Sequence, residues 1–413
     1  MFKNSNGMSS AYRSLHINTS RERMEYSDFP MPRSYPDFPH HTQIARYFDD
    51  YVDHFGFRDR IEFGTRVEHA VQRPDGVWEV SPERGGTRRY DALLVANGHH
   101  WDPRWPEPAF AGSDVFAGEQ MHSHDYTGED PQRFRDKHVV VLGMGNSAMD
   151  IAVEASFSAA SVQLAARRGA WIIPKYVFGR PLDQYSTRAG IPFRIRQLAM
   201  QALIRVAVGD MERYGLPKPD HRLLEAHPTV SDDILSRLAH GEITSRPNIA
   251  RLTQRTAVFE DGSELEADVV VYCTGYKVTF PFFEAGFLAA PDNVLPLFRR
   301  VFAPAVHGLA FIGLLQPIGA IMPIAEAQSR WVCDHLAGRY VLPPAAAMRA
   351  DMARERRQNG RRYVASKRHT MQVDFDDYLA ALEREQRAGA ARAAAAGGRL
   401  PVPRRADAEA RPA

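Results

Sequence analysis

The run Val139-Val140-Val141-Leu142-Gly143-Met144-Gly145-Asn146-Ser147-Ala148 constrains the fold more than any other stretch of this 413-residue chain. His138 to Leu142 reads as a strand, since consecutive β-branched valines suit a pleated backbone. A helical pattern follows from about Ser147 to Ala160, and a second strand from Ser161 to Ala166 closes a βαβ unit. In such a unit Gly143 permits the tight turn, Gly145 lets the backbone approach a pyrophosphate, and Ala148 is small enough for the helix to lie against the strand. The helix N-terminus adds unbonded N–H groups and a positive dipole. Gly143, Gly145, Asn146, Ser147, Ala148, Met149 and Asp150 are therefore candidate dinucleotide-binding residues.

The end of the second strand selects the dinucleotide. NAD sites place an acidic residue there, about 20 residues past the glycines, to accept the ribose 2′-OH. This chain has Arg167-Arg168-Gly169 instead. A guanidinium pairs bidentately with a 2′-phosphate, so the pattern favours NADP(H), with Arg167 and Arg168 as its ligands.

Around this unit the chain shows a helical pattern through Ile44, Tyr47, Phe48, Tyr51, Val52 and Phe55, stopped by Gly56. Strand-like runs follow at Ile61 to Val67 and Val77 to Val80, with a turn at Pro74-Asp75-Gly76, and then at Ala92 to Ala96. Residues 191 to 209 form an amphipathic helix. Its Ile191, Ile195, Leu198, Ala202 and Val206 face is expected to pack on the core, leaving Arg194, Arg196 and Arg205 solvated, the other reading being a helix that lies on a membrane surface. Asp261-Gly262 reads as a hairpin leading into a strand at Val269 to Tyr272. Past Leu382 the Ala/Arg/Gly/Pro-rich sequence has no apolar period, which predicts a disordered tail over 383–413.

Composition narrows the partners. Fifty-two basic and 50 acidic residues leave a formal charge of +2, so no whole-chain field argues for nucleic acid or an anionic membrane. Two cysteines, Cys273 and Cys333, exclude a disulfide scaffold and a four-cysteine zinc site and suit a reducing cytoplasm. His122 and His124 have no Cys, Asp or Glu cluster at metal spacing, so no metal is expected. The apolar stretch Gly308 to Ala325 contains Gln316, two prolines and three glycines, which suit a core strand and turn better than a membrane span. No secretory signal is visible at the N-terminus.

A resemblance then becomes specific. Phe116 through Tyr126 resembles the F-x-G-x-x-x-H-x-x-x-Y/F signature of the flavin-containing monooxygenase family, with Phe116, Gly118, His122 and Tyr126 in the defining places. Leu15 to Glu22 resembles the family's active-site asparagine segment, and Ser27-Asp28-Phe29-Pro30 follows as it does there. Gly143 to Asp150 resembles its G-x-G-N-S-x-x-D fingerprint, Arg167 to Trp171 the basic stretch after it, and Cys273-Thr274-Gly275-Tyr276 its A/C-T-G-Y linker. Gln316, Pro317, Gly319, Pro323, Glu326 and Gln328 resemble its C-terminal flavin-domain region, so the similarity runs from about residue 7 to about 340. Tyr126-Thr127 is similar to the N- and S-oxygenating branch. Related Baeyer–Villiger enzymes usually end the signature in tryptophan.

The resemblance implies an α/β fold of two interleaved Rossmann-like dinucleotide-binding domains, of the three-layer β/β/α flavoprotein type. The implied division is a flavin domain in two parts, 1–98 and 276–382, around an NADP-binding domain at 99–275. The implied cofactors are FAD and NADP(H). The implied activity oxygenates an amine nitrogen or thioether sulfur with NADPH and O2, through a flavin C4a-hydroperoxide. By similarity Asn18 is catalytic and also touches the cofactor, and Thr19, Gln43, Val67, Thr274 and Gln316 join the cofactor-binding set. The partners implied are a small nucleophilic substrate and O2, with no nucleic acid and no membrane; a homodimer is compatible. The family normally opens with a strand and a G-x-G-x-x-G turn for the FAD pyrophosphate, and this chain has neither. The flavin domain is thus expected to be incomplete at its N-terminus, with either a start lying upstream or a chain that holds FAD poorly. Two alternatives therefore stand: an NADP-binding remnant without oxygenase activity, and Baeyer–Villiger-type ketone oxygenation. Asn97 stands where the first linker usually has threonine, a mild change because both side chains can cap the turn.

Overall fold

The structure, a computed structural model, describes residues 7–185, 191–288, 290, 293–364 and 369–397. These fall into two compact units. The first holds the described parts of 1–21, 33–45 and 100–277, and the second those of 22–32, 46–99 and 278–413. Segments 7–21 and 33–45, which the family resemblance assigns to the flavin domain, thus pack with the unit that carries the NADP fingerprint.

The first unit is built on a five-stranded sheet of β1 (Glu119–His122), β2 (His138–Leu142), β3 (Ser161–Ala165), β4 (Thr244–Arg246) and β5 (Val269–Tyr272). All pairings are parallel and the order is β4-β3-β2-β5-β1. The valine run behaves as its composition demands: Val139, Val140 and Val141 are fully buried, as are Val269, Val270 and Val271 beside them. Helix α1 (Asn146–Ala155) crosses from β2 to β3 and buries Ala148, Met149, Ile151 and Ala152 in that core. It ends earlier than the sequence pattern suggested; Ala160 is already in the turn into β3.

Helix α2 (Phe193–Ala207) overturns an expectation. Ile195, Leu198 and Val206, assigned to the core, are 58%, 59% and 77% exposed, whereas Arg196, Gln197 and Ile204 are buried. The inversion has a physical cause in Gln197, whose Nε2 donates to the Leu223 carbonyl oxygen at 2.9 Å inside the fold. That bond satisfies one half of the buried carboxamide, while its Oε1 has no hydrogen-bond partner among the described residues. Leu198→Glu is accordingly expected to change unfolding free energy by less than about 0.5 kcal/mol, as at other exposed positions, where a core-facing leucine would lose several times more. Chemical denaturation of the variant distinguishes the two.

In the second unit, strands Val67–Gln72, Trp78–Pro82 and Arg88–Tyr90 form an antiparallel sheet packed over Trp78. The first of these starts where the sequence reading ended it, because Gly64 takes a left-handed φ of +60° and breaks the 61–67 run. The Pro74-Asp75-Gly76 turn, with Gly76 at φ +86°, joins the first two strands as the sequence indicates. Leu93–Val95 pairs in parallel with Leu309–Phe311, and Gln316–Ile318 with Gln372–Asp374.

The disordered-tail expectation fails over its described part: helix α3 spans Phe375–Ala395. Alanine, glutamate and arginine are strong helix formers, and the aspartate at 374 caps the N-terminus by accepting the Asp377 N–H (3.1 Å). The chain stays down because Leu382 and Ala393 are buried and Gly389 lies flat on the Tyr340 ring. Residues 398–413 of that expectation lie outside the described residues. Among the described residues, no helix is long and apolar enough to cross a membrane.

Candidate active site in the first unit

The glycine turn sits at the carboxyl end of β2, where parallel sheets of this class bind ligands. Gly143 has φ +140°, and a Cβ there would stand 2.7 Å from the Cys273 carbonyl oxygen at the end of β5. The position is closed to any side chain by backbone on the neighbouring strand. Gly145 is the N-cap of α1 with φ −91° and ψ 175° and supplies no side-chain cap, so the first N–H groups of the helix keep their capacity for an anion. The loop is pinned from the other side. Thr229 donates its hydroxyl to the Met144 carbonyl, and Asn146 Oδ1 accepts the Val230 N–H at 2.9 Å.

Not every residue of the fingerprint turns its side chain toward that end. Ala148 and Met149 are fully buried in the core, and Asp150 accepts the hydroxyl of Tyr12. These three can meet a dinucleotide only through backbone. Ser147 is half-buried in the first turn of the helix.

At the end of β3 the two arginines part company. Arg168 Nε lies 3.3 Å from Asp220, whereas Arg167 is exposed and has no ion-pair partner among the described residues. Gly169 is required where the chain turns away, since a Cβ there would come within 2.2 Å of the Pro217 carbonyl oxygen. Just past β5, Thr274 donates its hydroxyl to the Arg104 carbonyl.

The signature is the edge of this same sheet. A Cβ on Gly118 would fall 2.6 Å from the Asp268 carbonyl oxygen and 2.5 Å from the Phe116 ring, so phenylalanine and glycine fit together at the start of β1. His122 ends β1 fully buried, and its Nδ1 accepts the His124 N–H at 3.0 Å. Burial pushes its pKa down to about 4, so the ring is neutral and carries its proton on Nε2. Tyr126 is buried and donates to Glu154 on α1.

Asn18 and Thr19 lie in an irregular segment held by Ile17 N–H to the Pro39 carbonyl (3.1 Å) and Ser20 N–H to Asp183 Oδ2 (2.6 Å). The Asn18 carboxamide is half-buried and has no protein partner among the described residues, which leaves both its donor and its acceptor for a ligand. Gln43, by contrast, spends its Oε1 on the His40 N–H (2.9 Å) at the start of the His41–Phe55 helix. Asn18, Thr19, Gln43, the 143–150 fingerprint, both arginines and Thr274 therefore share the first unit. Val67 and Gln316 belong to the second. In that unit Gln316 pairs with Gln372, a fully buried residue whose carboxamide atoms have no hydrogen-bond partner among the described residues. A polar group so orphaned costs about 1–3 kcal/mol, and a flavin with its several polar ring atoms is chemically suited to satisfy it. Sequence reasoning missed Gln372 altogether, because nothing near 372 forms a motif.

The family described as FMO-like, Flavin-binding monooxygenase-like, matches residues 2–390. The chain belongs to this family. It is a flavin-dependent monooxygenase, as the signature and fingerprint indicate. Flavin-containing monooxygenase 5 of Rattus norvegicus is 39% identical over 393 residues, covering 90% of this chain and 72% of the relative. Dimethylaniline monooxygenase (N-oxide-forming) 2 of Macaca mulatta is 34% identical over 394 residues, covering 90% and 72%. Among solved structures, the S-allyl-L-cysteine S-oxygenase of Allium sativum matches with a TM-score of 0.67 at 25% identity, covering 94% of this chain and 79% of that one. Cyclohexanone monooxygenase from Rhodococcus sp. Phi1 bound to NADP+ matches with a TM-score of 0.67 at 17% identity, covering 94% and 90%; at that identity it speaks for the fold alone. The two interleaved Rossmann-like domains are those of the family.

Proposed function

We propose that this monooxygenase takes its electrons from NADPH held on Gly143, Gly145 and the N-terminus of α1, and oxygenates a soft nucleophile, an amine nitrogen or thioether sulfur, beside Asn18. The observation that carries the reading is Arg167, a guanidinium without an ion-pair partner among the described residues, just past β3 at the same carboxyl end of the sheet as an uncapped helix N-terminus. It offers a 2′-phosphate a partner that Arg168, occupied by Asp220, does not. Arg167→Ala is expected to weaken NADPH binding about tenfold or more while leaving NADH nearly unchanged, read from the two dissociation constants. Equal losses for both would remove Arg167 from the phosphate.

Bound FAD supplies electron transfer from NADPH to O2 and delivery of one oxygen atom to the substrate. What the chain's residues contribute is placement. The Asn18 carboxamide donates and accepts without titrating, so it can hold the reacting partners across changes of charge. His122, neutral and buried, stiffens the linker end of the sheet. On the second unit, Gln316 and Gln372 would face the flavin. The comparisons favour nitrogen and sulfur chemistry over ketone oxygenation and over a silent NADP-binding remnant. We place the protein in the cytoplasm, where the free thiols of Cys273 and Cys333 stay reduced.

The test is direct. The purified chain should carry flavin absorbance and oxidise NADPH only with O2, yielding an N-oxide or S-oxide from a tertiary amine or thioether as read by mass. A protein that binds NADPH but holds no flavin and forms no oxide would refute the proposal.

A further inference from the structure

Two carboxylates on α1 bond hydroxyl groups of the segment that leads to Asn18. Asp150 and Glu154 are four residues apart and so share one face of the helix. Asp150 accepts the Tyr12 hydroxyl. Glu154 accepts Ser14 on one oxygen and Tyr126, the last residue of the signature, on the other. Tyr12 and Tyr126 are both buried, with ring centroids 6.1 Å apart. Backbone bonds complete the tie: Arg13 N–H donates to the Thr127 carbonyl (2.7 Å), and the Arg13 carbonyl lies 2.6 Å from His40 Nε2.

We propose that Tyr12, Asp150 and Glu154 are positioning residues that hold the segment bearing Asn18 in a fixed relation to the dinucleotide helix. The proposal rests on the reading of Asn18 given above. Residues 13–20 have almost no regular structure of their own, only a single bridge between His16 and His40. Their order must be imposed from outside, and two hydroxyl-to-carboxylate bonds, from Tyr12 and Ser14, impose it within six residues of Asn18. The choice of carboxylates is informative. Burial raises the pKa of Asp150, a cost that an apolar contact of the same size would avoid. What the costly arrangement adds is direction, because a hydroxyl donating to a carboxylate fixes distance and angle where an apolar contact fixes only proximity.

The experiment compares Tyr12→Phe, Asp150→Leu and Asp150→Asn in the full chain, with Asn18→Ala alongside. Hydrogen exchange at residues 13–20 needs no bound flavin and reads the tie itself. Tyr12→Phe and Asp150→Leu should raise exchange there about tenfold, as expected for loss of a hydrogen bond to a charged group, and Asp150→Asn, which keeps an acceptor, should restore most of the protection. In turnover, the same two variants should divert NADPH oxidation toward hydrogen peroxide while KM for NADPH stays within about threefold, a split that general destabilisation does not produce. Unchanged exchange in Tyr12→Phe overturns the tie. Raised exchange with unchanged coupling overturns the positioning role, and Asn18→Ala then shows whether the reading of Asn18 has fallen too: retained coupling in that variant means it has. Should Tyr12→Phe not fold, Ser14→Ala at an exposed position breaks the Glu154 contact and carries the same outcomes.

Discussion

Replacing Gly143 with alanine is expected to abolish measurable NADPH binding and to destabilise the first unit by about 3 kcal/mol or more. Two costs act together. The residue has φ +140°, a region that L side chains rarely enter, and its new methyl would stand 2.7 Å from the Cys273 carbonyl oxygen and 3.1 Å from the Cys273 Cβ. Neither neighbour can retreat. Cys273 N–H is bonded to the Leu142 carbonyl at 2.8 Å, and the Gly143 N–H to the Ala165 carbonyl at 2.9 Å, so the clash is with the sheet itself. Gly145→Ala separates binding from folding. At φ −91° and ψ 175° any residue fits, so that variant should melt close to the parent and lose affinity through crowding of the pyrophosphate alone. Thermal unfolding together with NADPH titration reads both. A Gly143→Ala protein that melts within a degree or so of the parent would show that the turn is free to relax.

Gly389→Leu should be nearly as damaging in the second unit, costing about 3 kcal/mol, although it lies in a stretch whose composition suggests disorder. A Cβ at 389 would come within 1.9 Å of the Tyr340 ring, and that ring cannot move aside. Tyr340 is buried against Trp331 at 5.5 Å, its hydroxyl donates to Glu385 at 2.9 Å, and Arg392 pairs with the same carboxylate. The side chain that must yield is therefore the centre of a network that ties α3 to the rest of its unit. Urea unfolding of the variant should show a lower midpoint. An unchanged midpoint would mean that the C-terminal turns of α3 contribute nothing to the fold. Gly360, in the helix Ala345–Arg362, is the control: a Cβ there meets nothing within 4 Å, so Gly360→Ala should be neutral or stabilising.

These contrasts mark what a sequence makes visible. The βαβ unit is legible because its determinants are local: valines for the strand, glycines for the turn, a small residue for the crossing. The orientation of α2 is not legible, because an amphipathic pattern fixes which residues share a face and says nothing about which face meets a partner. That is decided by Leu223, 26 residues from Gln197. The order in α3 is hidden for a related reason. Alanine-rich composition is ambiguous between a solvated coil and a helix, and the surfaces that bury Leu382, Gly389 and Ala393 decide. Within the candidate site, the backbone-contacting glycines and Arg167 can be read from spacing. Tyr12, Glu154 and Gln372 cannot, since what each touches lies far away in the chain.

The strand order of the first unit bears on how the protein is made. The fully buried β5, Val269–Tyr272, lies between β2 and β1, and both flanking strands are synthesised more than a hundred residues earlier. Until β5 leaves the ribosome, at roughly 5–20 residues per second, the valines of β2 have an open edge and no cover on that side. Leu93–Val95 waits longer still for Leu309–Phe311. Such late, distant closures make folding slow and leave apolar strand edges exposed on the nascent chain. Yield on overexpression should therefore depend on chaperone supply and growth temperature more strongly than the stability of the finished enzyme would suggest.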